Sequence, residues 1–288
     1  MTAQHGNANR AIMLFIVAMF CFSVMDICVK ALAPQVGVLP ALWTRYAGQM
    51  LMVTLLVAPR LRQVARTQRP VTQFLRSLCL MGATGLFFLG LSHLTLANNA
   101  ALMSVNPVLV TLGAALFLGE SLGLRRIAGI VVAMLGAMIV MRPGSDVFSP
   151  AAILPLLAAV CYSAYALLTR KVGQDEDVWT SLFYTGLVGT VILSFAVPFA
   201  WVTPDASGLL LMAGIAAFGT VGQLALIRAF TMGEAAMLAP FAYSGLVFSG
   251  MWGLTLFGEV PDRWTLIGAL VIAGAGLYVW HRETRQPR

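Results

Sequence analysis

The chain repeats itself, and each copy holds an odd number of apolar segments. Phe117-Leu118-Gly119-Glu120 returns as Leu256-Phe257-Gly258-Glu259, and nine residues after each glutamate stands a glycine, Gly129 and Gly268. Further upstream, Cys21-Phe22-Ser23 with Lys30 returns at nearly the same offset as Cys161-Tyr162-Ser163 with Arg170. Five segments per copy would make the second copy enter a bilayer from the side opposite to the first. The fold predicted is therefore an all-α integral membrane protein: ten transmembrane helices in two inverted five-helix repeats, over residues 1–145 and 146–288.

Composition agrees with a polytopic membrane chain. It is 59% apolar and 10% charged, against roughly 25% charged in an average soluble domain. A span needs about 20 mostly apolar residues. Ten such stretches are marked out at 11–31, 38–58, 73–92, 97–118, 123–141, 150–170, 178–200, 206–229, 235–257 and 263–281. The first follows only Arg10 and has no small-residue cleavage site before the next, so it reads as a retained helix. With the N-terminus inside, fourteen Lys and Arg fall in inner loops (Arg76 among them) and three outside: Lys30, Arg142 and Arg263. That asymmetry places both termini in the cytoplasm. The net charge of +7 lies in loops and does not point to nucleic acid.

Inverted repeats of this kind build a midplane site with two alternative access routes, the plan of a secondary transporter. The four cysteines lie within spans, without metal-ligand spacing to the three histidines, and read as small packing residues. The sequence predicts no metal and no cofactor. Glycines cluster in spans 5 and 10 (Gly129, Gly136, Gly268, Gly274, Gly276), where small residues let backbones approach. That suits packing within a monomer or the interface of a homodimer.

Ten spans, Gly-Glu after spans 4 and 9, glycine-rich spans 5 and 10, Asn106-Pro107 and Arg45 together resemble the EamA-type branch of the drug/metabolite transporter superfamily. Asp26, Lys30 and Arg45, with the block Ala239-Pro240-Phe241-Ala242-Tyr243-Ser244 leading to Phe257-Gly258-Glu259, resemble a bacterial subgroup within it. The resemblance covers essentially the whole chain. It implies a carrier of small organic metabolites in the bacterial inner membrane. Members of that subgroup take up riboflavin or S-adenosylmethionine, or export amino-acid-derived metabolites.

The residues able to carry chemistry are the polar ones inside the spans. A charge there is costly and a functional candidate by default. Asp26 and Arg45 have no charged counterpart in the second copy, where Ala166 and Thr185 stand. Such an asymmetry suits a ligand: Asp26 for a cationic group or a coupling proton, Arg45 for a carboxylate or phosphate. The competing reading is structural, since Asp26 and Lys30 stand four apart on one helical face where opposite charges pair. Lys30 and His93 are then gate or ion-pair candidates. A second, uncharged set could bind or couple: Asn98, Asn99, Asn106, Tyr162, Tyr165, Gln223, Tyr243 and Ser244. Prolines beside them interrupt spans 4 and 9, and helix breaks are tolerated at membrane depth where they face protein or a cavity.

Glu120 and Glu259 lie on opposite sides of the membrane, so they cannot share a site; each is expected to cap the following helix or brace its loop. Asp175-Glu176-Asp177 reads as a solvated loop, and Trp43, Trp179, Trp201, Trp264 and Trp280 as interface anchors. A polytopic membrane enzyme, the alternative class, needs a nucleophile, base or metal cluster, and no such set converges in the sequence. Coupling to protons or substrate exchange would drive the carrier.

Overall fold

A computed structural model describes residues 2–118, 124–142, 149–172, 176–232 and 238–285. Among them the chain is helical, without a strand. The helices are α1 (Thr2–Val36), α2 (Val38–Leu56), α3 (Pro70–Leu91), α4 (Leu96–Met103), α5 (Asn106–Leu118), α6 (Leu124–Met141), α7 (Ile153–Val172), α8 (Val178–Ala196), α9 (Ala206–Met232), α10 (Ser244–Phe257) and α11 (Arg263–Arg285). A single turn at Leu61–Val64 and short 3₁₀ turns join them. Among the described residues, five stretches are long and apolar enough to cross a membrane: Asn9–Val36, Pro70–Leu91, Pro150–Thr169, Val178–Phe199 and Ala206–Met232. Shorter apolar stretches cover Leu96–Val110, Ile127–Met141, Phe241–Phe257 and Arg263–Tyr278. α2 is of similar length, but Arg45 and Gln49 dilute its apolar character.

Large apolar side chains cover the outer faces. On α6, Val131, Leu135 and Met138 are exposed, and on α11 Leu266 and Leu270. Contiguous exposed apolar surface of this extent is foreign to soluble monomers and matches a lipid boundary. The buried side of the bundle is tied by small residues and by polar groups that bond across helices.

The expected fourth span is two helices rather than one. Pro107 has no N–H, and its ring clashes with the carbonyl four residues back, that of Met103. The ladder accordingly stops at Met103 and restarts at Asn106. Pro240 opens the 3₁₀ turn Ala239–Tyr243 ahead of α10 in the same way. At the far end of α10, Gly258 takes the left-handed conformation (φ 64°), and the N–H of Glu259 donates back to Gly253 O at 2.9 Å. That is a glycine-terminated helix end.

The two halves of the chain interdigitate. The most extensive contacts of α1 are with α9, of α2 with α8, of α3 with α7, of α4 with α10, of α5 with α7 and of α6 with α11. Glycine makes several of these approaches possible. A Cβ on Gly186 would stand 3.1 Å from the backbone of Met50, and one on Gly136 would stand 3.0 Å from Gly268 O. The glycines of spans 5 and 10 are thus spent on packing within the chain at Gly136 and Gly268, whereas Gly274 faces open space. Asp205 caps α9 by accepting from Gly208 N at 2.7 Å. That amide, with the Ser207 hydroxyl, holds the Asp205 carboxyl below the usual carboxylate range.

Candidate functional site

α1 and α9 lie close enough to bring the polar residues of α1, α2, α7 and α9 together. A Cβ on Gly222 would stand 3.0 Å from the Phe22 ring, and one on Gly219 would stand 3.1 Å from Met25 Sδ and 3.6 Å from Arg45 Cγ. The tight approach at Gly219 is to Met25, and Arg45 lies in ordinary contact beyond it. Its guanidinium donates to Gln223 Oε1 at 3.4 Å and reaches Met25 Sδ at 3.9 Å. It lies over the rings of Phe22 (5.9 Å) and Tyr46 (5.3 Å). Gln223 in turn donates to the Tyr165 hydroxyl at 2.7 Å, and Tyr162 packs on Tyr165 with ring centroids 5.5 Å apart. Arg45 and Gln223 are both buried.

Asp26 is buried on α1 beside Met25 and within electrostatic reach of Arg45. Among the described residues its carboxylate makes no hydrogen bond and no ion pair within 4.0 Å. The partner suggested by helical spacing, Lys30, is engaged elsewhere: its ammonium meets Glu259 Oε1 at 2.6 Å and Leu94 O at 2.8 Å. The other Glu259 oxygen accepts from Leu96 N at 2.9 Å. Lys30 therefore ties α1 to the loop after α10 and to the start of α4, and Asp26 is left to Arg45. Glu259 caps α4 and not the helix that follows it, whose N-terminus is held by Asp262 accepting from Thr265 N at 2.8 Å. Glu120 lies outside the described residues.

Arg76, placed in an inner loop by the sequence reading, is a wholly buried residue of α3. It donates to Ser181 O, to Thr185 Oγ1 at 2.8 Å and to Thr169 Oγ1 at 3.4 Å. It also lies over the Tyr165 ring, 5.4 Å from the centroid. Contacts therefore run unbroken through Arg45, Gln223, Tyr165 and Arg76. The available signal was position: Arg76 lies a full turn and a half inside a helix that Pro70 starts. Glu176, expected to be solvated, accepts from Thr67 Oγ1 at 2.5 Å and Gln68 N at 2.8 Å, pinning the loop before α3 to that before α8.

The remaining candidates lie apart from this cluster. Asn98 Oδ1 accepts from Thr265 Oγ1 at 2.7 Å, joining α4 to α11, and Asn99 donates to Phe87 O at 3.1 Å. Asn106 Oδ1 accepts from Ser163 at 2.8 Å, joining α5 to α7. Tyr243 packs against Gly276, and Ser244 bonds within its own turn to Phe241 O at 2.7 Å. His93 is exposed in the turn after α3. Hydrogen bonds between helices are the common use of such groups in membranes. A cavity of about 30 Å³ beside Asn98, Val140 and Ala152 has room for a water but not an organic solute. The chemistry gathers instead around Asp26 and Arg45.

A buried acid and a buried arginine stand among aromatic rings in a multi-pass helical membrane protein. The chain belongs to the EamA-like transporter family, whose model matches residues 9–142 and again 149–280. It is 32% identical to the pseudopaline exporter of Pseudomonas aeruginosa strain UCBPP-PA14, over 93% of this chain and 94% of that one. It is 26% identical to the S-adenosylmethionine uptake transporter of Rickettsia bellii, over 94% and 93% respectively. One protein crystal structure shares the fold at a TM-score of 0.68 and 16% identity, covering 96% of this chain and 99% of that one.

Proposed function

We propose that the chain is a secondary transporter that moves a small polar organic metabolite, amino-acid-derived or cofactor-like, across the bacterial inner membrane by alternating access. The observation that carries this reading is the convergence of Asp26, Arg45, Gln223 and Tyr165 on one buried point built by helices of both halves. In it Asp26 takes a cationic group of the solute or a coupling proton, Arg45 takes an acidic group, and the Tyr162–Tyr165 pair and Phe22 pack on its apolar body. A second reading, uptake of a riboflavin-like or S-adenosylmethionine-like solute, is favoured by those rings, which suit a planar heterocycle.

Ten spans in two inverted repeats support alternating access. α4 with α5, and the turn at Ala239 with α10, count as one broken span each. The contact pattern is what such repeats produce. Exchanging each span for its counterpart turns the α1–α9 contact into the α7–α3 contact, and returns α2–α8, α4–α10 and α6–α11 to themselves. On this reading the two Gly-Glu loops lie on opposite sides, and the Lys and Arg asymmetry of the sequence assigns Glu259 to the outside, Glu120 to the inside and both termini to the cytoplasm.

Counterflow in proteoliposomes tests the reading. With one solute of a metabolite panel trapped inside, the purified protein is expected to accumulate that solute's label transiently and saturably. Linear, unsaturable entry would mean a channel, and no exchange with any solute would overturn the carrier.

A further inference from the structure

The charges sealed inside the bundle do not balance. Among the described residues the buried charged side chains are Asp26, Arg45 and Arg76, two cations to one acid. Lys30 and Glu259 answer each other at 2.6 Å and leave that excess untouched.

The two arginines are held in unlike ways. Arg76 is tied to a backbone carbonyl and two threonine hydroxyls on α7 and α8, and so is fixed in place. Arg45 has ring faces, a sulfur at 3.9 Å and an amide oxygen at 3.4 Å; the Nε of each arginine has no partner. A guanidinium carries five donors in a planar fork, and its bonds to an anion run about 2.7–2.9 Å. Arg45 is thus a buried fork with donors to spare, and the acid nearest by sequence and space does not close on it. Arg76 adds positive field from the other side of Tyr165.

Resting on the carrier reading above, we infer that the transported solute bears a carboxylate that docks on Arg45 and that the solute is a net anion, with Arg76 as the positioning residue that sets the field of the site. Both roles of Asp26 lead to the same sign. If Asp26 pairs with an amine of the solute, Arg45 is left for an acid and the charge of Arg76 still has to be balanced. If Asp26 carries a proton, the protein's own charge is more positive still, and again an anionic solute completes it. Phe22, Tyr46, Tyr162 and Tyr165 supply the apolar walls.

The test is thermal unfolding of the purified full-length protein, which needs no knowledge of the natural solute. Arg45→Met removes one long hydrogen bond and the counter-charge of Asp26, and is expected to lower the melting temperature by less than Arg76→Met does. Arg76→Met strips three helices of a shared tie and is expected to lower it. Equal losses for the two variants would overturn the assignment. The probes indole-3-acetate and tryptamine share a ring and differ in charge. The acid is expected to stabilise the wild type more than the amine does, by a margin that Arg45→Met removes and Arg45→Lys reduces. An amine equal to or better than the acid, or a margin untouched by Arg45→Met, contradicts the proposal. Counterflow that fails for every solute would remove the carrier reading and leave these stability comparisons intact.

Discussion

The Asp26→Asn protein is expected to insert and fold but to lose gradient-driven transport. Asp26 is 7% exposed, and its carboxylate bonds to no side chain or backbone group among the described residues. An amide of the same shape therefore breaks no contact, and the fold is expected to lose less than about 1 kcal/mol. Function has more to lose. A hydrogen bond to a charged group contributes about 1.5–3 kcal/mol, which is roughly ten- to a hundredfold in binding or rate. Two assays separate the roles. If Asp26 carries the coupling proton, counterflow survives in the variant, because exchange needs no net proton movement; if it holds the solute, binding and exchange fall together. If Asp26 serves only to balance Arg45, its loss leaves a buried cation uncompensated, and the double change Asp26→Asn with Arg45→Met restores stability. Lys30 is no candidate for such a rescue, since Glu259 already holds it. Full transport by Asp26→Asn at all pH values would sink both functional roles.

Gly268→Leu is expected to lose the fold outright or destabilise it by about 3 kcal/mol, at the upper end of what overpacking a core costs. A Cβ at Gly268 would stand 2.7 Å from Gly136 O and 3.0 Å from Val140 N. Both neighbours are backbone, so no rotamer change can relieve the clash; α6 and α11 must separate. The approach is reciprocal, because a Cβ at Gly136 would stand 2.8 Å from Ile272 Cγ1. Gly274→Ala, on the same helix but facing open space, is the matched control and should unfold like the wild type. Equal unfolding temperatures for the two variants in detergent would show that this contact is not close.

The helical membrane class was legible because length and apolarity alone dictate it. So was the break at Pro107, which follows from a missing N–H. The placing of charges was legible only in part. Spacing on one helix suggested Lys30 for Asp26, yet the side chain went to a carboxylate more than two hundred residues away, which local periodicity cannot anticipate. Arg76 was counted with the inner-loop cations although it stands inside the stretch 73–92, because charge counting takes a cation in the first turn of a span with the adjoining loop. Gln223 and Tyr165 were chosen for polarity inside a span, and Gln223 meets Arg45 while Tyr165 meets Gln223; Asn98, Asn106 and Tyr243 were chosen on the same ground and serve contacts elsewhere. Polarity in a span identifies candidates, and tertiary contact decides which of them share a point.

The inverted arrangement is tested most directly by labelling single cysteines in intact cells, in a variant freed of Cys21, Cys28, Cys79 and Cys161. An impermeant thiol reagent should modify Val260→Cys, beside Glu259, and leave Ser121→Cys, beside Glu120, untouched until the membrane is opened. Tags on both termini should be reached only after opening as well. Modification of both loops from the same side would contradict the inverted repeat and, with it, the two-sided access on which the transport mechanism rests.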